Sequence, residues 1–216
     1  MNFKGVIFDL DGTLVNSLED LADSMNTVLR DHNFPTHALP AYKHFIGNGI
    51  RNLVYKTLPE ANKDETLIDT CYDLMIEVYR NNCVNKTKPY AGIAGLLDKL
   101  VSHNMKLAVF SNKADEFTRK IVLTLLPDWN FEAIVGLSVD TYKKPNPFVA
   151  LQISEKFGVN AEDIIYVGDS GTDMQTANNA GMYAVGALWG FRTEEELTSN
   201  GAKYLISNPL DLMEIL

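Results

Sequence analysis

Two carboxylates, Asp9 and Asp11, directly follow the apolar run 4–8 (KGVIF). A short run rich in β-branched and aromatic residues predicts a strand that is buried on both faces. Side chains alternate along a strand, so both carboxylates point the same way and repel by about 4 kcal/mol at an effective dielectric of about 20. A cation, or a proton on one acid, must offset this repulsion. The stretch 9–14 (DLDGTL) is therefore a candidate catalytic or metal-binding motif rather than a plain D-G turn.

Two further polar stretches could bind an anion. Ser111 and Asn112 follow the apolar run 106–110, where a hydroxyl and an amide can bind an oxyanion together with helix N–H groups, or where Ser111 simply caps a helix. Lys144 lies in the stretch 143–147 (KKPNP), whose prolines hold the backbone extended. A lysine held in this way suits phosphate, although a solvated basic loop is the alternative.

A second acidic motif follows the apolar run 164–167. It begins with Gly168 and Asp169, and Asp173 comes four residues after Asp169, which is about one helical turn. The two carboxylates can therefore face one point, and hard carboxylate oxygens suit Mg²⁺. The alternative is an ordinary cap at the N-terminus of a helix.

The elements that must position these residues alternate along most of the chain. Apolar runs that predict strands recur at 4–8, 106–110, 133–137, 164–167, 183–188 and 204–206. Helical patterns separate them at 92–103, 114–126, 147–157, 171–180 and 193–199. This alternation predicts a doubly wound, Rossmann-like parallel α/β sheet, in which the carboxyl ends of the strands form one ligand-binding edge.

Residues 15–85 break the alternation. They contain no strand-like run, but carry helical patterns at about 17–31 and 64–80, and prolines punctuate the space between. We therefore expect an all-helical domain inserted after the first strand. The domain prediction is an α/β core formed by residues 1–14 and 86–216, with a helical insertion at 15–85.

The four motifs, in the order DLDGTL, SN, KKPNP and GDSGTD, resemble the haloacid dehalogenase-like (HAD) superfamily of phosphotransferases. The resemblance covers essentially the whole chain and implies that the helical insertion is a cap domain. The stretches IGNGIR at 46–51, SNKAD at 111–115 and GDSGTDMQTANNAGM at 168–182 resemble the phosphoglycolate phosphatase branch.

The resemblance implies a catalytic set. Asp9 would be the nucleophile that forms an aspartyl-phosphate, and Asp11 the general acid and base. Thr13 would hold Asp11 in position. Lys144 would complete the catalytic set as a fixed positive charge.

The resemblance also implies a phosphate site. Ser111, Asn112 and Lys144 would hold the phosphoryl oxygens. Asp173 would support Lys144 or a metal-bound water, and Gly168 would be a supporting residue beside it.

The implied cofactor is Mg²⁺, bound by Asp9, the main-chain carbonyl of Asp11 and Asp169. Asp9, Asp169 and Asp173 carry three negative charges and a phosphomonoester about two more, whereas Mg²⁺ and Lys144 supply three positive charges. This imbalance predicts that Asp11 is protonated when the monoester binds, as a general acid must be.

The cap would determine the substrate. Gly47, Asn48 and Gly49 could present main-chain N–H groups to an anion, and Arg51 could bind a carboxylate in bidentate fashion. A two-carbon acid phosphate such as 2-phosphoglycolate would suit both. The alternative is a plain loop before a helix, with Arg51 in solvent.

Composition limits the partners. The chain of 216 residues has 19 Lys+Arg against 28 Asp+Glu, a net charge of −9, which argues against binding nucleic acid or an anionic membrane. No apolar run is long enough to span a bilayer, and acids interrupt the N-terminal apolar stretch, so we expect no signal peptide and a cytoplasmic location. We expect a monomer or a weak homodimer.

Together these features predict a Mg²⁺-dependent phosphomonoester hydrolase for a small phosphorylated metabolite. Within the superfamily, a sugar phosphomutase and a pyrophosphatase or nucleotidase are alternatives. A phosphometabolite-binding module without catalysis is the alternative from a different class.

Overall fold

The computed structural model describes residues 2–216, and the chain divides into two compact units. The first runs up to Asn16 and resumes at Pro89, and the second is Ser17–Lys88. This division falls after residues 16 and 88, against expected boundaries after residues 14 and 85. The roles of the two units as catalytic core and cap remain a prediction.

The strands are β1 Gly5–Phe8, β2 Val15–Asn16, β3 Lys88–Pro89, β4 Lys106–Ala114, β5 Ala133–Leu137, β6 Ile164–Gly168, β7 Tyr183–Ala187 and β8 Tyr204–Ile206. The α-helices are α1 Leu18–Asp31, α2 Leu39–Phe45, α3 Ile50–Thr57, α4 Glu65–Asn82, α5 Ile93–Ser102, α6 Asp115–Leu125, α7 Phe148–Phe157, α8 Gly171–Asn179 and α9 Glu194–Ser199.

The first unit is built on a six-stranded sheet of order β5-β4-β1-β6-β7-β8, with parallel pairing throughout. Strand β1 lies in the interior of the sheet, where Ile7 pairs with Ala108 on one side and Tyr166 on the other. All three are buried in one core with helix residues such as Ile153 and Met174. The predicted doubly wound parallel α/β fold is confirmed.

The second unit is helical. Helix α1 buries the stripe Leu21, Met25, Val28 and Leu29, whose spacing is that of one helix face. The sequence prediction does not include α2, and it gives a helix at α3 only in the alternative interpretation of the loop at 47–49. In the sequence Pro40 indicates a break between helices, but it lies in the first turn of α2. The first N–H groups of a helix have no partner within it, so the N–H that proline lacks costs nothing there.

A buried carboxylate holds the end of this helical unit. Asp20 of α1 accepts hydrogen bonds from the main-chain N–H of Lys86 at 3.0 Å, and from the N–H and hydroxyl of Thr87 at 2.8 and 2.7 Å.

No helix within residues 2–216 has the length and apolarity needed to cross a membrane.

We expect Asp20→Ala to lower the free energy of unfolding by about 2–4 kcal/mol, because buried donors lose their acceptor. The matched control is Asp23→Ala on the same helix, since the Asp23 carboxylate is exposed and binds the Lys86 ammonium at 2.7 Å. The control should cost less than about 1 kcal/mol. Urea unfolding followed by circular dichroism measures the free energy of unfolding of both variants. Equal losses would show that the hydrogen bonds accepted by Asp20 contribute no more than the exposed ion pair of Asp23.

Candidate active site

The predicted motifs meet at the carboxyl edge of the sheet. Asp9 follows β1, and its main-chain N–H donates to the Val167 carbonyl of β6 at 2.9 Å. Strand β4 extends beyond its last residue paired with β1, Val109, and carries Ser111 and Asn112. These side chains come together because β4, β1 and β6 are neighbours in one parallel sheet.

Lys144 is the buried cation at this edge, and its side chain is 3% exposed. Its ammonium binds Asp9 Oδ1 at 2.8 Å and Asp173 Oδ1 at 2.6 Å. Burial lowers the pKa of Lys144, but the charges of Asp173 and Asp9 outweigh it, so the pKa lies well above its usual value. Lys144 is therefore a permanent positive charge between two acids.

Asn112 holds the loop that carries Lys144. Its side-chain oxygen accepts from the Lys144 main-chain N–H at 2.8 Å, and its amide nitrogen donates to the Lys144 carbonyl at 3.4 Å. The side chain of Asn112 is thus engaged, which leaves its main-chain N–H as the group suited to the predicted phosphate contact. Ser111 is buried beside it, and its hydroxyl oxygen accepts from the Lys113 N–H at 3.3 Å.

Three buried carboxylates cluster at the site. Oxygens of Asp9, Asp169 and Asp173 lie within 4.8 Å of one another. Burial, as the main cause, raises the pKa of Asp9 to about 6, with Lys144 opposing the rise. Burial and the charges of Asp9 and Asp173 raise the pKa of Asp169 well above its usual value. A buried group of hard oxygen ligands with this excess of negative charge suits a divalent cation.

Asp173 serves two neighbours. Its second oxygen accepts from the main-chain N–H of Ser170 at 3.1 Å, and the Ser170 hydroxyl oxygen accepts from the Asp173 N–H at 3.4 Å, which together form a capping box at the start of α8. Asp173 thus combines the helix cap with an ion pair to Lys144, and its supporting role in the site remains a prediction. Gly168 permits this arrangement, since a Cβ there would overlap the Asp173 side chain.

Asp169 is held from three sides. The sequence predicts that Thr13 holds Asp11, but its hydroxyl donates to Asp169 Oδ1 at 3.3 Å. The Phe191 main-chain N–H donates to Asp169 Oδ2 at 2.7 Å. Gly12 (φ 93°) and Gly190 both lie against this carboxylate, and a Cβ on either would overlap it.

The segment 188–192 follows β7, and the sequence places Phe191 and Arg192 near the catalytic edge without giving them a role. Besides the contacts of Gly190 and Phe191, the Trp189 indole donates to the Thr13 carbonyl at 3.0 Å. Its hydrogen bonds to the site come from main-chain and indole N–H groups, and the positive charge of Arg192 acts on Asp169 against the larger effect of burial on the pKa of that carboxyl. The position of the segment after a strand of the same parallel sheet is the signal that indicates its place at this edge.

A second buried lysine accompanies Asp11. The Lys113 ammonium lies 2.7 Å from Asp11 Oδ2, with side chains that are 3% and 12% exposed. The charge balance drawn from the sequence counts only Mg²⁺ and Lys144 as positive charges. Lys113 adds one more positive charge to that balance.

The family follows from comparison with known proteins. The family model of haloacid dehalogenase-like hydrolases matches residues 6–187. The chain belongs to this family.

Relatives and a solved structure agree. A phosphoglycolate phosphatase of Aquifex aeolicus is 33% identical over 98% of this chain and 95% of its own length. One of Haemophilus influenzae is 30% identical, covering 99% of this chain and 98% of its own. The crystal structure of a predicted phosphoglycolate phosphatase from Haemophilus somnus superposes with a TM-score of 0.89 at 29% identity, covering 100% and 98% of the two chains. The prediction of a phosphatase-type enzyme is confirmed.

In this haloacid dehalogenase-like hydrolase, the predicted specificity residues lie in the helical unit. Gly47 and Gly49 have φ values of 113° and 83°, and with Asn48 they form the loop before α3. The Arg51 guanidinium already binds two acids of α4, Glu65 at 2.7 Å and Asp69 at 2.8 Å. Both contacts use Nη2, so the structure gives Arg51 local partners, and its role in specificity remains a prediction.

We expect Gly190→Ala to lower the free energy of unfolding by about 1–3 kcal/mol and to reduce phosphatase activity, because the added methyl displaces Asp169. Gly95→Ala in α5 is the matched control. A Cβ at Gly95 meets nothing within 4 Å, so alanine should raise stability by about 0.5–1 kcal/mol. Urea unfolding and hydrolysis of p-nitrophenyl phosphate measure both variants. A Gly190 variant that behaves like the control would show that close packing does not hold Asp169.

Proposed function

We propose that this chain is a Mg²⁺-dependent phosphomonoester hydrolase that works through an aspartyl-phosphate, with 2-phosphoglycolate as the first candidate substrate. The observation that carries the proposal is the Lys144 ammonium between Asp9 and Asp173, beside Asp169, at the carboxyl edge of the sheet. Phosphoryl transfer needs positioned charge above all, and this cluster provides both signs within one small space.

Asp9, Asp169 and the main-chain carbonyl of Asp11 are the proposed Mg²⁺ ligands. The fit rests on the three clustered carboxylates and on the raised pKa of Asp169, whose negative charge needs a nearby cation. When bound, Mg²⁺ would neutralise charge on the phosphoryl group and on the acids around it.

Asp9 is the proposed nucleophile. A bond forms between its free carboxylate oxygen and phosphorus while the bond from phosphorus to the leaving oxygen breaks. Lys144 holds Asp9 by its other oxygen and offsets the phosphoryl charge, and the Ser111 hydroxyl and the Asn112 main-chain N–H donate to phosphoryl oxygens.

Asp11 moves the protons in both steps. In the substrate complex it gives a proton to the leaving oxygen, which departs as an alcohol. Its carboxylate then accepts a proton from the water that attacks phosphorus, the bond to Asp9 breaks, and inorganic phosphate is released. Protons and charge balance over the cycle, and Asp9 and Asp11 return to their starting states.

The substrate assignment rests on the relatives named above. Both similar enzymes are phosphoglycolate phosphatases, and the chain spans nearly all of each. We further propose a cytoplasmic enzyme, monomeric or weakly dimeric, that binds a small phosphomonoester and neither nucleic acid nor membrane, in keeping with its net charge of −9.

A substrate panel tests this function. Purified protein with Mg²⁺ should release inorganic phosphate fastest from 2-phosphoglycolate among hexose phosphates, pyrophosphate and nucleotides, and EDTA should stop release until Mg²⁺ is restored. Isomerised hexose phosphate without free phosphate would instead indicate a mutase. No turnover of any compound would indicate a binding module.

We expect Asp9→Asn to reduce kcat at least about 10³-fold with every substrate, because the amide cannot attack phosphorus. Asp163→Asn is the control: it precedes β6 at the opposite edge of the sheet and binds the Lys4 ammonium at 3.0 Å. Circular dichroism should show both variants folded. Activity of the Asp9 variant close to that of the control would refute the assignment of Asp9 as the nucleophile.

We expect Asp11→Asn to reduce kcat far more for 2-phosphoglycolate, whose alkoxide needs a proton, than for p-nitrophenyl phosphate, whose phenolate does not, by a ratio of about tenfold or more. Steady-state kinetics on the two esters measures this ratio. Equal losses on both would remove the role of Asp11 as the acid.

A further inference from the structure

Lys113 is a buried lysine to which the proposed mechanism assigns no role. It lies near the end of β4, and its side chain is 3% exposed. Its ammonium is 2.7 Å from Asp11 Oδ2. An ammonium is costly to bury unless a charged partner compensates it, so this pairing is a specific feature of the site.

The two buried lysines contact different acids. Lys144 contacts Asp9 and Asp173, whereas Lys113 contacts Asp11. One cation thus serves the proposed nucleophile, and the other serves the proposed acid and base. This division follows the two chemical tasks.

The direction of the Asp11 carboxylate is what Lys113 can control. A general acid must lie within hydrogen-bond reach of the leaving oxygen, and a misplacement of about 1 Å can cost 10²-fold in rate. An aspartate side chain turns about two bonds, and a short ion pair to a buried lysine restricts both. The main-chain N–H of Lys113 also donates to the Ser111 hydroxyl oxygen at 3.3 Å, so the backbone of Lys113 adjoins the proposed phosphate site.

We infer that Lys113 is a positioning residue for proton transfer to the leaving group, acting through Asp11. This inference rests on the proposed function. Lys113 exchanges no proton with substrate here; it holds the carboxylate that does. A structural ion pair alone would instead affect stability and the hydrolysis of every ester alike.

The test compares two esters of similar shape, phenyl phosphate and p-nitrophenyl phosphate, which differ in how much the leaving oxygen needs a proton. We expect Lys113→Met to lower kcat about tenfold or more for phenyl phosphate and less than about threefold for p-nitrophenyl phosphate, with KM nearly unchanged. Lys120→Met, an exposed lysine of α6, is the matched control and should behave as wild type.

A double variant provides a second test of the inference. Lys113→Met combined with Asp11→Asn should be no slower on phenyl phosphate than Asp11→Asn alone, because both changes remove one function. Lys113→Arg keeps the positive charge and replaces Lys113→Met in the test if the methionine variant does not fold. It should show the same preferential loss on phenyl phosphate, to a smaller degree.

Equal losses on both esters, or independent losses in the double variant, would overturn the inference while leaving the proposed function intact. A wild-type enzyme that hydrolyses neither ester nor 2-phosphoglycolate would overturn the proposed function and this inference with it.

Discussion

The structure of the site depends on a buried ion cluster, with the Lys144 ammonium between Asp9 and Asp173. Carboxylates this close repel by several kcal/mol in a protein interior, and burial adds to the cost of each charge. A lysine that binds two of them offsets part of this cost. Burial still keeps the pKa values of Asp9 and Asp169 above their usual range, so Lys144 offsets only part of this cost.

The parallel sheet makes this cluster possible, and the sequence largely determines the sheet. Apolar runs of four to six residues predict the core strands, because strands covered on both faces need no polar alternation. Once β1, β4 and β6 are neighbours, the polar residues after them must share one edge. The meeting of Asp9, Ser111 and Asp169 was therefore predictable before any coordinates.

The partner of each side chain was not predictable in the same way. Thr13 donates to Asp169 rather than Asp11, because hydroxyl direction depends on the turn at Gly12. Asn112 binds the main chain of Lys144, a contact 32 residues distant that no local pattern encodes. Helix α3 and the ion pairs of Arg51 likewise depend on packing within the helical unit. Motifs identify the participants, whereas packing selects their partners.

The net charge of −9 illustrates the same distinction between composition and local field. A strongly acidic chain would be expected to repel an anionic substrate, yet Lys113 and Lys144 are both buried at the edge where the acids meet. Charges in a low-dielectric site act far more strongly than those scattered over a hydrated surface. Asp173 and Asp9 hold Lys144 in its charged form, since their charges raise its pKa well above the usual value although burial lowers it. Acidity at this site thus favours the proposed binding of phosphate, because without the carboxylates a buried lysine loses its charge more readily.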